Sequence, residues 1–165
     1  MKLFVLAAFF IGCVSRLPAQ TLTDFDLIKL EKASDYKAAE PFVLQTANYL
    51  FSVPFKKDSK DRLNSLRFIS KWMNGTMDYP FLFTDEMAKI GKDNYDLIGQ
   101  YMAAMAKYTL DNKAAAKDTK TMKLKAMMML LDYCENKDNN MRMSKQLKKL
   151  SESRSKGELE KSMQD

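Results

Sequence analysis

The chain has 165 residues, with 27 Lys and Arg against 21 Asp and Glu for a net charge of +6, and it contains no histidine. Without imidazole there is no usual general base, no usual activator of a serine or cysteine nucleophile, and no commonest zinc ligand. Histidine-dependent triads and histidine-ligated metal centres are therefore excluded. Five glycines and four prolines leave few places to turn, as in long helices with short connections.

Met1 to Gln20 reads as an address. Lys2 gives a positive start, Leu3 to Val14 is an unbroken apolar run, and Pro18-Ala19-Gln20 makes a short exit. That order is the plan of a secretory signal, and the run is too short for a resident transmembrane helix. Cleavage is expected after Ala19 or Gln20, giving an exported, periplasmic or secreted chain. A rival reading takes Phe10-Ile11-Gly12-Cys13 as a lipobox, with a lipidated Cys13 tethering the protein to a membrane. Phe10 fits that motif poorly, so the soluble form is favoured. Losing Lys2 and Arg16 with the leader lowers the charge from +6 to +4. Cys134 then stands alone, no internal disulfide is possible, and packing must hold the fold.

After the leader, about 145 residues remain, enough for one domain over 21–152 with a charged tail over 153–165. The predicted elements are all helical. A weak first helix is expected around Phe25, Ile28 and Leu30, with Thr23 or Asp24 as its cap. Tyr36 to Ser52 forms a second, with Val43, Leu44, Ala47, Leu50 and Phe51 inward and Pro41 in its first turn or at a kink. Asp58 or Ser59 caps a third, whose stripe is Leu63, Leu66, Ile69 and Met73 beside Phe68 and Trp72. Gly75 is placed as its left-handed stop. Thr76 to Phe83 is an aromatic loop. Thr84 then caps a short helix with Asp85 and Glu86 in its first turn, the correct sign for a helix N-terminus.

Gly91 and Asp93 interrupt that helix. The next carries Tyr95, Ile98, Tyr101, Met102, Met105 and Tyr108 on one face. Thr119 to Asn136 follows, apolar at every position from Ala126 to Leu131, and is expected to be the most buried. Met141 to Ser151 closes the domain, with Met143, Leu147 and Leu150 inward and Lys145, Lys148 and Lys149 outward. The fold class is all-α, five to seven helices in antiparallel hairpins, as a bundle or a short helical-repeat-like stack.

The residues Thr21-Leu22-Thr23-Asp24, Arg67 to Thr76 (RFISKWMNGT), Leu131-Asp132-Tyr133-Cys134-Glu135-Asn136 and Lys145 to Leu150 (KQLKKL) resemble a group of small, uncharacterised secreted helical proteins of Gram-negative bacteria. The resemblance spans most of the chain beyond the leader. It implies a helical-hairpin fold, distantly like tetratricopeptide repeats, and brings no activity or functional residue with it.

Three clusters stand out. Trp72, Tyr79, Phe81 and Phe83, with Met77 and Leu82, could line a pocket for an apolar ligand or lipid, or fold back to cap the helices beside them. Asp78, Asp85 and Glu86 invite a two-carboxylate hydrolase reading, but adjacent Asp85 and Glu86 point in different directions on a helix. Lys120, Lys123, Lys125, Lys145, Lys148 and Lys149 fall in a stretch, Lys113 to Lys149, with ten basic and four acidic residues. They form either a solvated face or a surface for an acidic partner or lipid headgroups. No aromatic residue is interleaved within the 120–125 and 145–149 lysine groups for base stacking, so a nucleic-acid partner is not expected. The methionines at 102 and 105, 127–129, and 141 and 143 read as core filler rather than a copper site. No metal and no cofactor is expected. The functional expectation is an exported, non-catalytic interaction or scaffold protein contacting another protein or an envelope component; the alternative is a small helical domain binding an apolar ligand or lipid through the 72–83 loop.

Overall fold

The computed structural model describes residues 25–163, so the leader, Cys13 and the Thr23 or Asp24 cap lie outside the described residues. Among the described residues there are seven α-helices and no strand. They are α1 (Ala33–Ser52), α2 (Lys60–Gly75), α3 (Asp85–Gly91), α4 (Asp96–Asp111), α5 (Thr119–Glu135), α6 (Lys145–Ser155) and α7 (Leu159–Ser162). None is long and apolar enough to cross a membrane.

The core is organised around α4, which packs against α1, α2, α3 and α5. Every residue from Tyr101 to Ala106 is buried. Ala103, Ala104 and Ala106 present so little side chain that neighbouring helices close in from several directions, while Leu97, Tyr101 and Met105 fill the space between them. The sequence pointed to α5 as the most buried helix, and that expectation is corrected. Met122, Ala126, Met127, Leu130 and Leu131 are buried, but Leu124, Met128 and Met129 are only partly covered. A short all-apolar stretch covers every direction for less than two turns, and Lys120, Lys125 and Asp132 around it face solvent. Tyr95 precedes α4 and is 79% exposed, not part of its inner face.

Local chemistry sets the helix starts. Ser59 Oγ accepts from the Arg62 N–H at 3.3 Å, Asp118 Oδ1 from Thr121 N–H at 3.0 Å, and Ser144 Oγ from Leu147 N–H at 3.1 Å. Each satisfies an amide the helix itself leaves without a partner. Thr84 makes no such bond, and its buried Oγ1 has no partner. α1 begins at Ala33, so Pro41 sits in the helix interior, where the Lys37 carbonyl lacks its N–H partner. α6 begins at Lys145 rather than Met141, because Ser144 supplies the cap.

Three more expectations are corrected. Phe25, Ile28 and Leu30 do not form a helix: spacings of three and then two residues cannot share one helical face. A 3-10 turn at Phe25–Leu27 instead stacks Phe25 on Phe68 at 4.6 Å, and Leu30 is buried beyond it. On α2 the inward stripe is Arg62, Ser65, Phe68, Ile69, Trp72 and Met73, while Leu63 is 48% exposed. Gly75 is the last residue of α2 and not a left-handed stop; Thr76 follows at φ −70°. A Cβ on Gly75 would collide with the Tyr36 side chain, so close approach of α1 and α2 explains the glycine. The one left-handed glycine among the described residues is Gly157, at φ 74°. It turns the chain from α6 into α7, where Leu159 is buried and Glu160 pairs with Lys120 at 2.7 Å. The stretch expected as a charged tail over 153–165 thus holds the end of α6 and the short α7, with Leu159 packed in the core.

Candidate functional site

The aromatic loop separates into an inner and an outer part. Trp72 is fully buried and its Nε1 donates to the Tyr36 carbonyl at 2.9 Å. Its ring lies 5.7 Å from Tyr79 and 5.6 Å from Phe81, and those two lie 6.1 Å apart. The Tyr79 hydroxyl donates to Glu40 Oε1 at 2.9 Å, and Lys113 Nζ donates to Glu40 Oε2 at 2.5 Å. Burial, then this bond to a carboxylate, pushes the Tyr79 phenol well above its ordinary range. Trp72, Tyr79 and Phe81 are therefore brought together as a cover over the α1–α2 end of the core. Phe83 is not with them. It faces outward at 51% exposure, beside Leu82 at 61%, and Met77 on the same loop is 90% exposed.

Other polar groups of the core are engaged in part, while Ser65 Oγ and Arg62 Nε are buried without a hydrogen-bond partner. Burial pushes the Cys134 thiol up to about 12, with the Glu135 carboxylate adding to the effect, so it is protonated at neutral pH. Arg62 donates to Gln100 Oε1 at 2.8 Å and to the Asp96 carbonyl at 3.3 Å, and lies 4.7 Å over the Phe55 ring. Burial lowers its pKa, opposed by Asp96, yet guanidinium stays charged in this range. Asp78 pairs with Lys37 at 3.8 Å. Met102, Met105, Met122, Met127 and Met141 are buried core residues, and Met122 sulfur accepts from Thr109 Oγ1 at 3.1 Å.

The lysines singled out in the sequence fall into two places. Lys120, at the start of α5, pairs with Glu160, which raises its pKa; Lys123 on the same helix is half-buried. Lys145, Lys148 and Lys149 are exposed on α6, whose other end is pinned to α5 by Arg154 on Asp132 and Glu135. Lys145 and Lys149 meet partners that the sequence reading missed. With Lys89, Lys92, Asp93 and Gln146 they line an open cleft of about 340 Å³ between the end of α3 and the start of α6.

The cleft is held from below. Arg142 donates to the Asp93 carbonyl at 2.8 Å, Asn94 Nδ2 donates to the Arg142 carbonyl at 2.5 Å, and the Lys145 N–H donates to Asp93 Oδ2 at 3.3 Å. Asp93 thus meets the first turn of α6 and is the one carboxylate among four lysines. Among the described residues none of the four ammonium groups is in an ion pair, whereas Lys37, Lys107, Lys113 and Lys120 all are. Four like charges around one solvent-filled depression repel one another until an anion enters. Lys89 and Lys92 escaped notice because their half of the chain is close to neutral overall, and only the α3–α6 contact brings them to Lys145 and Lys149. No protein-family model, curated protein or solved structure matches this chain.

Proposed function

We propose that this chain is an exported, non-catalytic helical interaction domain that holds an anionic partner in the cleft between α3 and α6. The observation that carries the reading is the set of Lys89, Lys92, Lys145 and Lys149 around one depression, without ion-pair partners among the described residues and with Asp93 as the only acid lining it. A cleft of that charge raises the local concentration of anions and steers them inward. The non-catalytic part rests on the lack of histidine, the protonated Cys134 thiol and the engagement of buried Glu40 by Tyr79 and Lys113.

Amide chemical-shift mapping tests the reading, using hexaglutamate and inorganic tripolyphosphate as probes. The amides of Lys89, Lys92, Asp93 and Lys145 to Lys149 are expected to move, and to stop moving as salt is raised. Shifts centred on the Lys120–Glu160 edge, or none, would refute it. Export rests on the order of residues in Met1 to Gln20. An intact mass beginning near Thr21 is expected, and a diacylated Cys13 would replace the soluble form with a membrane-tethered one.

A further inference from the structure

Two unlike exposed features flank α3. Leu82 and Phe83, 61% and 51% exposed, immediately precede its first turn, and Met77 on the same loop is 90% exposed. Along the helix, Asp85, Ala88, Lys89 and Lys92 face solvent, while Met87, Ile90 and Gly91 turn inward. That spacing of three, four and seven residues is a single helical face. An exposed apolar group thus stands just before the N-terminal end of α3, and the lysine cleft lies at its C-terminal end. A seven-residue helix is about 10 Å long, so the two ends are separated by roughly the depth of a headgroup layer.

We infer that this face docks the protein on an anionic lipid bilayer, with Leu82, Phe83 and Met77 entering the headgroup–acyl boundary and Lys89, Lys92, Lys145 and Lys149 meeting lipid phosphates. The inference rests on the anion-binding reading of the cleft and names its partner. Charge complementarity selects a negative surface, because four lysines oppose one aspartate in the cleft. Protruding apolar side chains then select a bilayer over an acidic protein. A protein partner would need a matching pocket for each projection, whereas acyl chains rearrange around any apolar shape. Among the described side chains, Asp85 and Asp93 are the opposing charges on this face, and Asp78 on the loop is compensated by Lys37 at 3.8 Å. The inner half of the loop supports the outer half: Tyr79 and Phe81 are packed on Trp72, and Tyr79 is tied to Glu40.

Vesicle flotation tests this with the protein purified from the cells that make it, its N-terminus fixed by intact mass. Binding is expected to vesicles of phosphatidylglycerol mixed with phosphatidylcholine, and at least tenfold weaker to phosphatidylcholine alone. Leu82→Ser with Met77→Ser, and separately Lys89→Glu with Lys149→Glu, should each lower partitioning at least tenfold while leaving the urea midpoint unchanged. A third variant, Phe83→Trp, should shift its indole emission to the blue and be quenched by lipids brominated on the acyl chains. Binding that ignores the Leu82 and Met77 changes, or an added indole emission that brominated lipid leaves untouched, overturns the docking. Hexaglutamate binding without vesicle binding overturns it too, in favour of an acidic protein segment, and leaves the cleft reading standing. Loss of both overturns the cleft reading itself.

Discussion

α4 and the α3–α6 edge are both helical, yet they use their residues in opposite ways. α4 is enclosed by four helices, and its alanines let them approach. The edge is thin: α3 buries Met87 and Ile90, α6 buries Leu147 and Leu150, and the remaining positions are mostly lysine, serine or glutamate facing water. In α4 each side chain is fixed by neighbours on several sides, so volume and shape decide what is tolerated. At the edge charge is set with few packing constraints. The residues that hold the fold together are thus separate from those of the proposed contact surface, so each set can be changed without the other.

The sharpest way to break that separation is a large-to-small change in the core beside a charge removal at the edge. Leu131 has no exposed surface and packs in the core cluster with α4. Leu131→Ala is expected to cost about 2–5 kcal/mol in urea unfolding, through lost burial and an unfilled cavity. Lys149→Ala should cost less than about 0.5 kcal/mol in the same assay. Similar midpoints for the two variants would mean that core and edge are not distinct.

A smaller effect is expected where α1 and α2 approach. Alanine is normally preferred over glycine in a helix by about 0.5–1 kcal/mol. At Gly75 the sign should reverse, because the added methyl would meet the Tyr36 ring, whose hydroxyl donates to the Leu30 carbonyl at 3.2 Å. Overpacking of this kind costs about 1–3 kcal/mol, so Gly75→Ala should be net destabilising by about 1–2 kcal/mol. A stabilised variant would show that the Tyr36 ring moves aside freely.

The smallest effect concerns acid. Bonds from the Thr121 N–H and hydroxyl hold the Asp118 carboxyl below its ordinary range. Its folded pKa is lowered, so its contribution is complete above the unfolded value and fades as pH falls through about 4 and below. Asp118→Asn keeps an oxygen acceptor for the cap but cannot titrate. Thermal melts of the variant should therefore lose less stability between about pH 5 and pH 2 than the parent does. Parallel acid limbs would place the acid sensitivity elsewhere.

The helical class, the existence of most helices and the inward positions of Val43, Leu50, Ile69, Leu147 and Leu150 were legible because apolar spacing at three and four residues is a local property. What was not legible depended on neighbours distant in sequence. Arg62 and Ser65 look like surface residues and rotate the inward face of α2 by one position, because Gln100 and the Asp96 carbonyl wait across the interface for the guanidinium. The rank of α4 over α5 depended on how many helices surround each, which no single window contains. The aromatic loop was found as a unit, but only packing divides it into a buried set and exposed Phe83. Lysines near the C-terminus were visible, and their cleft partners Lys89 and Lys92 were not, because α3 and α6 meet only in the fold.

The most direct test of the account is a tripolyphosphate titration of the Lys89→Glu and Lys149→Glu double variant beside the parent at low salt. The dissociation constant is expected to rise at least tenfold in the variant while its urea midpoint stays where the parent's is. Equal affinity in the two proteins would contradict the assignment of the α3–α6 cleft as the contact surface.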